Sequence, residues 1–299
     1  MSKKIFTSIV VSLVFLVLIA GFNVSAQMVV TGEWTASIKG DDAKIHLNFE
    51  QRSDKGGRHQ MGQSYDFAEL QGLSREQAIN GGPVKFSLVR EAGTIECEGS
   101  FQNGKGSGTF RFAGNPGFVS AMKARGFDFE ESSSSTDRRH SENKLFAAAT
   151  LNITTALADD LSSAGFGKLD VNDLFKAAIF KIDSKFMREM KASGFPNLGM
   201  EELVKARIFK IDADFVRQVS QMGFDKEPFE SLVKMQIFKV TPEFLTEIRN
   251  EGLTINSVED VVKLRIFKID SEFIRQSRAE GIPLEVESLV QRRIGVARR

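Results

Sequence analysis

The sequence is poor in the residues that most chemistry needs. It holds one cysteine, one tryptophan, one tyrosine, three histidines and six prolines among 299 residues. Cys97 stands alone, so no intramolecular disulfide can form, and packing alone must hold the fold even in an oxidising compartment. It lies in the alternating segment Thr94-Ile95-Glu96-Cys97-Glu98 and reads as a buried structural thiol. The histidines, His46, His59 and His140, have no zinc spacing, and no His-Glu-x-x-His occurs. No Gly-x-Ser-x-Gly elbow marks a nucleophile. Gly104-Lys105-Gly106-Ser107-Gly108 lacks the rest of a phosphate-binding loop and reads as a turn with the start of a strand. These absences point to a chain that is not an enzyme and carries no cofactor or metal. A net charge of +1 gives no bias toward nucleic acid.

Long apolar runs are also scarce. One exists, over residues 5–22, preceded by Lys3 and Lys4 and followed by Val24-Ser25-Ala26. A positive start, an apolar stretch and small residues at the end define an export signal over residues 1–26. The mature chain is then expected to be periplasmic or extracellular. If the segment stays uncleaved it anchors the chain, and that is the only membrane contact expected.

Residues 27–114 have strand periodicity. Lys44-Ile45-His46-Leu47-Asn48-Phe49-Glu50 alternates in strict period two, as a half-buried strand does. Asn103-Gly104 between two further strands is a strong hairpin signal. About six strands and one helical turn at Ser74-Arg75-Glu76-Gln77-Ala78 predict a small antiparallel sandwich or partly open barrel. Residues 115–144 read as a partly helical stretch, then a flexible serine-rich linker.

The dominant feature follows. Ile179-Phe180-Lys181-Ile182-Asp183 returns as Ile208-Phe209-Lys210-Ile211-Asp212. It returns again as Ile237-Phe238-Lys239-Val240-Thr241 and Ile266-Phe267-Lys268-Ile269-Asp270, each time 29 positions on. A Phe followed by Gly eight residues later keeps step, at Phe186/Gly194, Phe215/Gly223, Phe244/Gly252 and Phe273/Gly281. Such a period means stacked helix pairs, here about five over residues 145–299. The fold class is α+β in two domains, with an α-helical solenoid following the β-domain. In each unit Asp183, Asp212, Thr241 or Asp270 caps the first helix, and the repeated Gly ends it.

Repetition also sets cations in columns. Lys176, Lys205, Lys234 and Lys263 form one, and Lys181, Lys210, Lys239 and Lys268 a second. Arg188, Arg217 and Arg275 form a third. One reading is a solvated face balanced by Glu189, Glu201, Glu202, Glu230, Glu259 and Asp260. The other is a basic ladder that binds an acidic partner.

The units Glu202-Leu203-Val204-Lys205-Ala206-Arg207-Ile208 and Thr241-Pro242-Glu243-Phe244-Leu245-Thr246-Glu247-Ile248-Arg249 carry a resemblance, together with Gly32-Glu33-Trp34. They resemble bacterial exported proteins related to antirepressor-type, β-lactam-sensing membrane metallopeptidases. The resemblance covers the β-segment and the repeats, the non-catalytic part of such proteins. The zinc motif and multiple membrane spans are missing, so peptidase activity and antibiotic sensing are not implied. The expected function is non-enzymatic binding in the cell envelope, with another envelope protein or peptide as partner. The alternative is a small molecule or lipid held by the β-domain, with the solenoid as tether; a lone Gly-x-Trp opens such cups.

Overall fold

The computed structural model describes residues 29–38, 43–52, 58–130 and 138–295. The expected export signal lies outside the described residues, as do residues 131–137 of the serine-rich run.

The β-region is one antiparallel sheet of seven strands, curled into a half-barrel. Strands β1 (Val29–Ile38), β2 (Lys44–Arg52) and β3 (Arg58–Asp66) come first. A two-residue strand β4 (Leu70–Gln71), helix α1 (Arg75–Asn80) and strands β5 (Gly82–Arg90), β6 (Gly93–Gln102) and β7 (Lys105–Gly114) follow. Their order across the sheet is β3-β2-β1-β7-β6-β5-β4, so the first and last long strands meet at its centre. The strand expected from Arg58 is present, and β4 is the addition that alternation could not reveal in two residues.

Strict alternation gives the sheet one apolar face. Val30, Trp34 and Ala36 of β1 are buried with Ile45, Leu47 and Phe49 of β2 and Phe110 and Phe112 of β7. Trp34 pairs in register with Gly108, which itself pairs with Gly99. A Cβ on Gly99 would stand 2.8 Å from the Trp34 ring and 2.1 Å from the Ser107 carbonyl oxygen. Gly99 therefore makes the seat for the indole, whose Nε1 donates to the Glu98 carbonyl at 3.2 Å, and Gly108 lets the two strands approach. Trp34 is a core anchor.

Helices α2 (Pro116–Ala124) and α3 (Arg138–Thr150) lead out of the sheet. Then come α4 (Thr155–Ser163), α5 (Val171–Phe180), α6 (Ser184–Ala192), α7 (Met200–Ile208) and α8 (Ala213–Gln221). The described residues continue with α9 (Phe229–Ile237), α10 (Pro242–Asn250), α11 (Val258–Ile266), α12 (Ser271–Ala279) and α13 (Val286–Arg293). The first helices of the five expected pairs start at Thr155, Ser184, Ala213, Pro242 and Ser271, in unbroken 29-residue steps. Asp183, Asp212, Thr241 and Asp270 accept the backbone N–H three residues on, as N-caps do. Gly194, Gly223, Gly252 and Gly281, one past each C-cap, have φ between 74° and 102°, the left-handed form that stops a helix.

The structure adds a sixth pair, α2 with α3. Asn152 follows α3 at φ 54°, as Lys181 follows α5 at φ 54°, and the two positions are 29 apart. Leu145, Phe146 and Ile153 stand 29 residues before Leu174, Phe175 and Ile182. Phe118 and Gly126 supply the Phe/Gly signature of α2, but Phe118 precedes Leu157 by 39 positions, so the turn within this pair is longer. Residues 138–144, expected as linker, are the opening of α3. Their polarity hid them: Arg138-Arg139-His140-Ser141-Glu142 precedes the apolar Leu145-Phe146.

Helix α3 belongs to both halves of the molecule. Phe146 lies against Phe49, Phe110 and Phe112 on the inner face of the sheet. Tyr65 of β3 donates its hydroxyl to the Thr150 carbonyl at 3.0 Å. Glu91, in the turn between β5 and β6, accepts from the N–H and hydroxyl of Thr155 at 2.9 and 3.0 Å. Arg125 grips Asp159 of α4 through two bonds of 2.8 and 3.1 Å. A solenoid needs its open end covered, and here the half-barrel covers it.

Candidate functional site: the helix edge of the solenoid

The three cation columns have different fates. In the first, each lysine reaches forward to a glutamate of the next repeat. Lys176 meets Glu201 at 2.6 Å and Lys205 meets Glu230 at 2.7 Å. Lys234 pairs with Glu259, and Lys263 lies 3.3 Å from Glu287. These ammoniums are neutralised between repeats, the balanced face that the sequence offered as one of two readings. In the third column, Arg217 pairs with Asp214 and Arg275 with Glu251, while exposed Arg188 lends its charge to Asp160. Ser184 donates to both oxygens of Asp160, at 2.6 and 2.8 Å, and these bonds hold its carboxyl below the usual range. That contact locks α4 to α6.

The second column is different. Lys181, Lys210, Lys239 and Lys268 are exposed. None of the four makes an ion pair among the described residues. The sequence places them where a cation suits a helix C-terminus, and the structure adds that all four sit left-handed, with φ from 51° to 54°. That conformation crowds the Cβ of an L-residue and favours Gly or Asn.

Beside each lysine stands an isoleucine in water. Ile179, Ile208, Ile237, Ile266 and Ile294 are between 47% and 55% exposed, in a molecule that buries nearly every other large aliphatic side chain of its repeats. From Ile208 onward, the side chain just before each isoleucine holds the edge together. Arg207 Nη2 donates to the Lys181 carbonyl at 2.7 Å, and its guanidinium lies 3.7 Å from the Phe186 ring centre. Gln236 donates to the Lys210 carbonyl at 3.3 Å. Arg265 reaches the Phe238 carbonyl at 2.9 Å and covers Phe244. Arg293 reaches the Lys268 carbonyl at 2.5 Å and covers Phe273. This column of clamps was missed from sequence, although Arg207, Gln236 and Arg265 recur at the repeat period. The clamps tie Ile208, Ile237, Ile266 and Ile294 to the turn that carries the lysine of the repeat before, so the two columns form one edge.

A cleft of about 620 Å³ opens between α6 and α8, floored by Phe195, Val216, Phe224 and Leu232. Its cause is local. Arg249 donates to the Met222 carbonyl at 3.0 Å and Arg278 to the Glu251 carbonyl, tying each first helix to the one before. The matching residue of α8 is Ser220, too short to reach Ser193. Val216 is only half-buried there, whereas Met187, Leu245 and Ile274 at the same place in other copies are buried.

Cys97 is buried in the sheet, and loss of hydration pushes its thiol far above the ordinary value, which suits a packing role. Among the described residues no three His, Cys, Asp or Glu side chains gather as a metal site. Among them, too, no helix is long and apolar enough to cross a membrane. No protein family, curated protein or solved structure matches this chain, so the resemblance to antirepressor-type relatives gains no counterpart among known proteins.

Proposed function

We propose that this chain is a non-enzymatic, exported scaffold of the bacterial cell envelope that binds another protein along its helical repeats. The observation that carries the reading is the edge of unpaired lysines and water-exposed isoleucines, set out once per repeat. Exposed apolar side chains in a regular file cost free energy when left in water and contribute binding when covered. Unpaired cations beside them select an acidic partner and exclude a basic one. The filling of the half-barrel's inner face by Phe146 favours the repeats over the sheet as the binding surface.

The test compares two sets of substitutions in crosslinked capture from the native host. Changing Lys181, Lys210, Lys239 and Lys268 to Asn keeps a residue suited to the left-handed backbone and removes four charges. Changing Lys205 and Lys234 to Gln removes charges already neutralised. Capture of the partner is expected to fall with the first set and persist with the second. Equal capture by both would refute the assignment of this edge.

A further inference from the structure

The six helix pairs provide an internal comparison. At the turn after the second helix of each pair the left-handed residue is Asn152, Lys181, Lys210, Lys239, Lys268 and, one place nearer its isoleucine, Gly295. The first and last are the types the backbone prefers; the four between are not. The neighbouring column changes only at the first copy, since Ile294 stays exposed beside Gly295 in the last. Where the interior copies expose isoleucine, the first copy has Thr150, buried beneath the half-barrel. The exposed isoleucine gives way to Thr150 where the sheet covers the edge, whereas the left-handed position stays exposed in all six copies and carries lysine in four. Retaining a disfavoured residue four times over on open surface, where Asn152 and Gly295 show that the preferred types also fit, marks a selected property of that surface rather than of the fold.

The shape of the edge limits what it can hold. Its apolar component is single file, one isoleucine per repeat, since the adjoining Phe180, Phe209, Phe238 and Phe267 are already half-buried. An amphipathic helix needs a groove with an apolar stripe two or three residues wide. A narrow line suits an extended chain. Packed helices repeat at about 8–10 Å, and a polyproline-II-like segment returns the same face after three residues of ~3.1 Å each. One turn of such a segment matches one repeat of the solenoid.

We propose, resting on the binding role above, that the Ile–Lys edge seats an extended acidic segment of a partner protein. The segment places an apolar side chain at every third position, each covering one isoleucine. Its carboxylates lie along Lys181, Lys210, Lys239 and Lys268, and Arg207, Arg265 and Arg293 hold the repeats at the spacing it requires.

The experiment is a fluorescence-anisotropy titration of the purified full chain with labelled 15-residue peptides. The first probe repeats Asp-Glu-Leu five times. The second has the same composition with leucines spaced irregularly, and the third spaces them by seven for a helical face. The expected result is saturable binding of the first probe and at least tenfold weaker binding of the other two. Binding should also weaken at least tenfold in Lys210→Asn/Lys239→Asn and in Ile208→Ser/Ile237→Ser, with unchanged circular dichroism, and should fall as salt rises. Equal binding of all three probes, or of either double variant, overturns the proposal. If no probe binds but the four-lysine variant still loses its partner in cells, the extended-segment inference fails and the scaffold reading stands. Uptake onto phosphatidylglycerol vesicles, lost in the variants and with no probe bound, overturns both in favour of a membrane-facing edge.

Discussion

Phe110 on β7 and Phe146 on α3 stack with ring planes 10° apart and centroids separated by 5.1 Å. Phe49 meets each of them edge-on, 5.2 Å from Phe110 and 5.7 Å from Phe146. One helix thus completes the core of the sheet and opens the helical stack.

Phe146→Ala should therefore cost about 3–5 kcal/mol, the usual range for emptying a buried aromatic site. Phe175→Ala, 29 positions on and only half-buried, should cost less. Trp34, the only tryptophan, is 1% exposed beneath the sheet's inner face and reports its unfolding by fluorescence. Urea titrations followed at Trp34 and by helical circular dichroism should shift together for Phe146→Ala. A shift in the helical signal alone would mean that the halves unfold separately.

Lys210→Gly and Lys239→Gly should each stabilise the fold by roughly 0.5–1 kcal/mol, because glycine occupies the left-handed well without crowding. The denaturant midpoint should rise with its slope unchanged. A fall would show that the lysine side chains support the repeats themselves.

Ser220→Arg should close the cleft between α6 and α8 by reaching the Ser193 carbonyl, as Arg249 reaches Met222. A charge-assisted bond of this kind contributes on the order of 1–2 kcal/mol. Amide exchange in residues 193–195 should slow in the variant and not elsewhere in α6. Uniform exchange rates would show that the cleft has another cause.

Alkali should weaken the fold through two groups. Burial raises the Cys97 thiol above its ordinary 9.0 and the Tyr65 phenol above its ordinary 10.0. The unfolded chain releases these protons first, so the folded state holds more protons in that range. Stability is then full below about pH 9 and falls as pH rises, by up to ~1.4 kcal/mol per pH unit for each group. Urea midpoints measured from roughly pH 7 to pH 10.5 should show this decline. Cys97→Ala should delay its onset toward the tyrosine range, and an unchanged profile would exclude the thiol as its source.

The repeats were legible because identical environments demand identical residues. Each unit needs a cap, an apolar side chain turned inward and a left-handed Gly, so Asp183, Phe186 and Gly194 announce themselves by returning. Strands β2 and β7 were equally plain, since a sheet with one wet face writes its period into Ile45, Leu47 and Phe49. Helix α3 was not legible, because half its length is polar and its apolar half answers to the distant sheet. The candidate edge was only partly visible. The lysine columns could be counted, yet sequence alone could not tell that Glu230 silences Lys205 while Lys210 stays free. That difference lies in contacts between repeats, 25 residues apart for Lys205 and Glu230. The left-handed backbone of Lys210 was hidden because lysine is not the residue that announces that conformation.

The placement of α3 also sets an order of assembly. A chain made or exported from its N-terminus delivers all seven strands before the helix that covers them. The surface formed by Phe49, Phe110 and Phe112 stays open until residue 150 has emerged, although every strand is in hand by Gly114. The half-barrel, first in the sequence, is thus finished late, and whatever shields that surface in the interval acts on an intermediate that the mature protein no longer displays.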